Sequence, residues 1–145
     1  MKFDIEVISM EEVAKFVANR PSLWTAILFA GDRLTCCEEG IALKDETGRI
    51  VSLVTISFKG EDLSGQPGIV GLYTIPEARN GKVGIKAGEE VVRAAVHRCI
   101  DDKGFDNIRI DVLSTYALRI LNSLDSQLRD KLDIRDLSGF VGFED

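Results

Sequence analysis

The stretch Leu72-Tyr73-Thr74-Ile75-Pro76-Glu77-Ala78-Arg79-Asn80-Gly81-Lys82-Val83-Gly84 decides how the chain is read. Residues 69–75 (IVGLYTI) suit an interior strand, and Pro76, which cannot donate to a ladder, stops it. After a short loop, a long helix is predicted from Val83 to about Lys103. Val91, Val92, Ala95, Val96 and Cys99 form its apolar face, and Gly104 is its C-cap. A strand that turns at a proline and passes through glycines into a helix brings unpaired amides and the positive end of a helix dipole to one corner. Glycines let a bulky anion approach those amides, and Arg79, Lys82 and Lys86 add full charge. The corner suits a pyrophosphate. The alternative is a plain strand-to-helix connection whose glycines only relieve backbone strain.

On the N-terminal side, residues 40–44 (GIALK) and 50–58 (IVSLVTISF) read as strands, and Asp45-Glu46-Thr47-Gly48 between them is turn chemistry, so the pair is a hairpin. The second strand is apolar on both faces and belongs in the middle of a sheet. Residues 60–68 form a loop. Further back, FDIEVI (3–8) alternates as a half-buried strand, and Ser9 with Glu12 makes a capping box for a helix through Val13, Phe16 and Val17. Pro21 ends that helix and opens a second through Trp24, Ile27 and Leu28, closing near Gly31-Asp32. On the C-terminal side, NIRIDVL (107–113) alternates as a strand. One helix from about Thr115 to 130 then stripes Ala117, Leu121, Leu124 and Leu128 on one face, and the tail from Asp133 has room for one short strand or two. The order is β-α-α-β-β-β-α-β-α-β. No repeat or linker divides it, so residues 1–145 are read as a single domain.

Composition narrows the function. The chain has 145 residues, 45% of them hydrophobic and 29% charged, which is ordinary for a globular domain. A net charge of −6 argues against nucleic acid, whose phosphates need a basic footprint. The same acidity suits a cationic partner such as an amine, and it also keeps a protein in solution. No apolar run approaches the ~18 residues of a spanning helix, and the start of the chain lacks a signal-peptide core, so no membrane partner and a cytoplasmic location are expected. Cys36 and Cys37 are adjacent, no C-x-x-C spacing exists, and reduced thiols fit best. His97 is the only histidine, which excludes a multi-histidine metal site and leaves room for one His-based dyad. A P-loop would need a glycine where Pro76 stands and Ser or Thr where Val83 stands, and G-x-G-x-x-G is absent.

The 72–84 segment resembles motif A of the GNAT superfamily, the acetyl-CoA-dependent N-acetyltransferases, whose pattern runs roughly V-x-P-x-x-R-x-x-G-x-G/A. Pro76, Arg79 and Gly84 take the matching positions, while Lys82 stands where the family has its first glycine and Gly81 comes one place early. The 42–56 hairpin (ALKDETGRIVSLVTI) is similar to the family's second and third strands, and strand 107–113 with the helix after it is similar to motif B. The resemblance covers about residues 38–125. It implies an α/β (α+β) fold: one GNAT-like domain with a mixed, mostly antiparallel central sheet flanked by about four helices. It also implies acetyl-CoA as cosubstrate, no metal, and transfer of the acetyl group to a primary amine of a small molecule or protein by direct attack. A homodimer is compatible with the family pattern.

Carried over residue by residue, the resemblance implies that Arg79, Asn80, Gly81, Lys82, Val83 and Gly84 wrap the pyrophosphate. Leu72, Tyr73 and Thr74 would bind the pantetheine as an added strand would, and backbone N–H groups there would polarise the thioester carbonyl. Holding the two reactants together supplies much of the rate. Family members often carry a Glu on this strand, but residues 69–75 hold no carboxylate, which leaves Glu61 and Asp62 in the preceding loop as substitutes unless that loop is simply solvated. Many members place a Tyr in the last helix to protonate the leaving thiolate. Aligning Ala117 and Leu121 puts Asn122 there, and Asn is no general acid. Tyr73 and Tyr116 are the only tyrosines; either is a candidate to reach the sulfur, Tyr73 first. Gly139-Phe140 falls much later than the family's Gly-Phe, so the final hairpin is short, displaced or completed by a partner subunit. Two other readings stay open: a catalytically silent member of the fold acting in binding or interaction, and a plain α/β interaction domain with no cofactor.

Overall fold

The computed structural model describes residues 3–20, 36–60, 65–79 and 81–137, with residues 81–83 described by their backbone only. The expected second helix through Trp24, Ile27 and Leu28, the residues Glu61, Asp62 and Asn80, and Gly139-Phe140 lie outside that set.

The elements are β1 (Asp4–Ile8), α1 (Met10–Ala18), β2 (Glu39–Lys44), β3 (Ile50–Ser57), β4 (Gly68–Thr74), α2 (Gly81–His97), β5 (Ile108–Val112), α3 (Thr115–Ser123), α4 (Ser126–Arg129) and β6 (Leu132–Asp136). The six strands form one sheet in chain order, β1 to β6. The first three pairings are antiparallel, and β4–β5 and β5–β6 are parallel. This is the mixed, mostly antiparallel sheet that the resemblance implies. β3 is buried along its whole length, as expected of a strand apolar on both faces.

Asp45 builds the β2–β3 turn. Its Oδ1 accepts from the Thr47 hydroxyl at 2.6 Å and from the amides of Thr47 and Arg49 at 2.9 and 3.1 Å, and Gly48 sits at φ 85°. The Thr47 hydroxyl first, then the Arg49 and Thr47 amides, hold the Asp45 carboxyl down at about 2. A carboxylate whose folded pKa is depressed stabilises the fold above its unfolded value of ~3.9, and that contribution drains away as pH falls toward the folded value. Asp45→Asn is therefore expected to flatten the acid limb of stability against pH between ~4 and ~2, read by thermal melts at closely spaced pH. An unchanged limb would show that the turn carboxylate contributes nothing there.

Ser9 caps α1, accepting from the Glu12 amide at 3.2 Å, while the Glu12 carboxylate reaches Lys44 at 2.9 Å. Gly40 of β2 lets α1 lie close, because a Cβ there would stand 2.8 Å from Val13. α2 buries Ala87, Val91, Val92, Ala95 and Val96, and the turn after it buries Cys99. The helix runs on through a wide π-turn at Arg98–Asp102, and Gly104 follows at φ 78°. Arg98 ties this end to β2 through Glu39, at 2.6 and 3.1 Å. Burial pushes the thiols of Cys37 and Cys99 up to about 12, well outside the reactive range.

The expected helix 115–130 is two helices. Leu124 is extended, and Asp125 caps α4 by accepting from the Leu128 amide at 2.9 Å. The apolar stripe survives the break, since Ala117, Leu121, Leu124 and Leu128 are all buried. The tail strand β6 runs parallel to β5, from Ile108↔Leu132 to Val112↔Asp136.

Candidate functional site

β4 and β5 separate at a defined point. Their ladder runs through Gly68↔Arg109 and Ile69↔Ile110 and ends there. At the same place the β3–β4 register slips: Thr55 faces Gly71 and Ile56 faces Ile69, so Val70 is an extra residue in β4. A bulge bends its strand and increases the local twist. Gly71 to Thr74 are thereby turned away from β5 while they stay laddered to β3, and the two strands diverge into a V.

Beyond the V, the chain makes a 3₁₀ turn at Pro76–Ala78. Ile75 N–H donates to Val51 O at 3.0 Å, and Arg79 N–H donates to Pro76 O at 3.2 Å. The Arg79 amide is thus taken up within the turn, and among the described residues the amides that lack an intrahelical acceptor at this corner are those of the first turn of α2, from Gly81 onward. Glu77 anchors the outside of the turn. The Arg20 guanidinium holds it from the end of α1 and, with smaller help from Arg49, keeps its carboxyl below the usual range.

The first half of α2 and the face of α3 enclose a groove of about 760 Å³. Arg79, Lys86 and Arg119 bring positive charge to it, and Ile85 gives it an apolar wall. At its far end Ser123 Oγ, which also reaches Ile120 O at 2.7 Å, bonds Glu89 across the two helices. A chain with net charge −6 thus collects three cations and one carboxylate in one place, a distribution that favours an anionic ligand.

Tyr116, in the first turn of α3, lies where groove and V meet. Its hydroxyl is buried and makes no hydrogen bond among the described residues. A Cβ on Gly84 would stand 2.8 Å from that oxygen, 2.6 Å from Ala78 O and 2.7 Å from the Arg79 Cα, so only glycine permits the approach of α2, turn and ring. Burial raises the phenol's pKa; the nearby Thr74 hydroxyl, outside hydrogen-bond geometry, and the Arg79 and Arg119 charges oppose part of the rise. The Arg79 guanidinium sits 4.9 Å from the Tyr73 ring centre and 5.6 Å from that of Tyr116, and its Nε donates to Thr74 O at 2.6 Å. Arg79 therefore occupies a backbone acceptor at the end of β4.

The residues singled out from the sequence fall in different places. Leu72, Tyr73 and Thr74 line the arm of the V on β4, and Gly81, Lys82, Val83 and Gly84 open α2. Tyr73 is buried with its ring edge-on to Phe16 of α1, 6.2 Å between centres, and is not part of the groove wall. Asn122 is exposed on α3 and is likewise outside the groove. Tyr116, unlike Tyr73, lines the groove, and Arg119 lines it beside Tyr116. Their signal was the polar stripe Tyr116, Arg119, Ser123, which runs at helical spacing beside the apolar one. Among the described residues no group of three or more His, Cys, Asp or Glu side chains could hold a metal ion, and no helix is long and apolar enough to cross a membrane.

No family model matches the chain, and no curated protein matches it. Solved structures do. A ribosomal-protein-alanine N-acetyltransferase from Brucella melitensis biovar Abortus 2308 is 14% identical over 71% of this chain and 76% of its own, with a TM-score of 0.44. An aminoglycoside 6'-N-acetyltransferase from Acinetobacter baumannii is 13% identical over 74% of this chain and 92% of its own, with a TM-score of 0.38.

Proposed function

We propose that this chain binds acetyl-CoA along the groove between α2 and α3 and transfers the acetyl group from its thioester, lying in the V, directly to a primary amine. The observation that carries this reading is the coincidence of the β4 bulge at Val70 with the end of the β4–β5 ladder at Ile69, where the V meets a cation-lined groove. A splayed strand pair offers backbone groups to an extended amide chain, as an added strand does. The first-turn amides of α2, with Arg79, Lys86 and Arg119, would hold the phosphates. For the pantetheine to pair with Thr74 O, Arg79 must leave that carbonyl, which frees its guanidinium for the pyrophosphate. The Tyr116 hydroxyl, buried without a partner, would donate to the sulfur as charge develops there.

The competing reading is a silent member of the fold that binds without turnover. It is favoured by the absence of any carboxylate on β4 and by the exposure of Asn122. Release of free thiol from acetyl-CoA, followed with and without a panel of primary amines, separates the two. Amine-dependent release at roughly one turnover per second or faster is expected, within the ordinary range for enzymes. Bound acetyl-CoA with no amine-dependent release across the panel would overturn the transferase reading in favour of the silent one.

A further inference from the structure

We propose, building on the transferase reading above, that Asp111 of β5 is the carboxylate that binds the acceptor's ammonium group and takes its first proton, on the face of the sheet opposite the acetyl-CoA groove. Asp111 lies one residue beyond Ile110, the last residue of β5 paired with β4, and so stands level with the bulge where the V begins. It is the only carboxylate in either strand bordering the V. Its side chain is 11% exposed.

Its face follows from the strands. Ile108, Ile110 and Val112 are buried in the core, and alternation puts Arg109 and Asp111 on the other side. Ile69 pairs with Ile110 and shares its side, whereas Val70 clusters with Cys37 and Met10, the first residue of α1. Asp111 therefore shares the α1 face with Val70, while the cation-lined groove lies on the face of α2 and α3. Thr55, which faces Gly71 across the bulge, is buried with its hydroxyl beside the Cys37 thiol. It is a second polar group beside the opening. A direct transfer needs the nucleophile to reach the thioester from the side that the rest of the CoA does not fill, and this face is that side.

Among the described residues, the charged groups facing Asp111 are Arg109 on its own strand and, on β6, Asp133 and Arg135; β4 contributes none. Arg109 donates Nε to Oδ1 at 2.8 Å and Nη2 to Oδ2 at 3.3 Å, which fixes the carboxylate in place. Each oxygen keeps a further lone pair for an ammonium donor. The R–NH₃⁺ group gives one proton to the Asp111 carboxylate. Its nitrogen then attacks the thioester carbon, forming C–N and breaking C–S, and the electron pair leaves on sulfur. The sulfur takes its proton from the Tyr116 hydroxyl to give the free thiol, the second nitrogen proton replaces that one by way of solvent, and Asp111 returns its proton to solvent.

The test uses Asp111→Asn and Asp111→Glu in the full chain, with acetyl-CoA and three probes: spermidine, a lysine peptide and a peptide with an N-terminal alanine. Calorimetry and a thermal melt establish first that each variant is folded and binds acetyl-CoA within about threefold of wild type; loss of binding in wild type itself would sink the transferase reading and not this one alone. For the probe that wild type acetylates best, Asp111→Asn is expected to lower kcat/KM about 100-fold at pH 7.5. That deficit should shrink to a few-fold near pH 10, where the amine is already neutral, and Asp111→Glu should recover part of the activity. A variant that binds acetyl-CoA and keeps wild-type kcat/KM overturns the proposal. So does a deficit that stays constant across pH, which a merely structural ion pair would give. Wild type that binds acetyl-CoA but shows no amine-dependent release overturns it as well.

Discussion

Gly84→Ala is expected to weaken acetyl-CoA binding by at least tenfold, and Gly84→Glu to abolish it. In an open helix position Gly→Ala would stabilise by about 1 kcal/mol, so the sign here is set by space. The new methyl would lie 2.6 Å from a backbone carbonyl oxygen and 2.7 Å from a Cα, and neither can rotate away as a side-chain tip would. The third neighbour, Tyr116 Oη at 2.8 Å, closes the remaining side. The start of α2 must then move away from the Pro76–Ala78 turn or from α3, and either motion separates the first-turn amides from Arg79 and Arg119. Misplacing a phosphate site by an ångström forfeits charge-assisted hydrogen bonds worth ~1.5–3 kcal/mol each, and every 1.4 kcal/mol is about tenfold in affinity. Glutamate adds a carboxylate against the phosphates. Calorimetric titration of both variants checks this, with far-ultraviolet dichroism to show that the sheet persists. Wild-type affinity in Gly84→Glu would remove this corner from the binding site.

Leu53→Ala is expected to cost about 2–5 kcal/mol of stability, the range for emptying a fully buried leucine site. Leu53 is 0% exposed in the middle of β3, and its register partner is Tyr73 of β4. The strands on both sides hold it, so collapse around the cavity would need the whole sheet to shift. Set against a typical total of 5–15 kcal/mol, the loss would lower the melting temperature by about 10 °C. Because Tyr73 sits on the arm of the V, the same variant should also weaken acetyl-CoA binding. A chemical denaturation series measures the first effect, and a loss under ~1 kcal/mol would mean the core there repacks freely.

The fold was legible wherever a local pattern and its tertiary setting agree. The β2–β3 hairpin announced itself because Asp45 and Gly48 supply the turn, and α2 because its apolar spacing runs unbroken to Cys99 with Gly104 beyond. The break at Leu124 was hidden because the stripe Ala117, Leu121, Leu124, Leu128 keeps helical spacing through it, while the cap that ends the helix, Asp125, is a single polar residue. The parallel partnership of β6 with β5 is a matter of packing, and no residue of 132–136 encodes it alone.

The site divides in the same way. Arg79 and Gly84 stood out because a motif fixes them relative to a proline and a helix start. The bulge at Val70 has no local signature beyond its neighbouring Gly71. The different settings of the two tyrosines are tertiary: the crossing of α2 and α3 sets the Tyr116 hydroxyl against Gly84, and the packing of α1 on β4 sets the Tyr73 ring against Phe16. The sequence reading sought a carboxylate on β4 and its preceding loop. The place of Asp111 beside the end of the β4–β5 ladder is set only by the sheet order, which no local pattern encodes.

Calorimetric titration of the purified chain with acetyl-CoA tests the central claim most directly. One site per chain with a dissociation constant in the micromolar range is expected, as is common for metabolite sites. Affinity should fall as salt rises, because three cations meet the phosphates, and it should drop sharply for S-acetylpantetheine, which lacks them. No heat at millimolar acetyl-CoA, or equal affinity for the two ligands, would contradict the account.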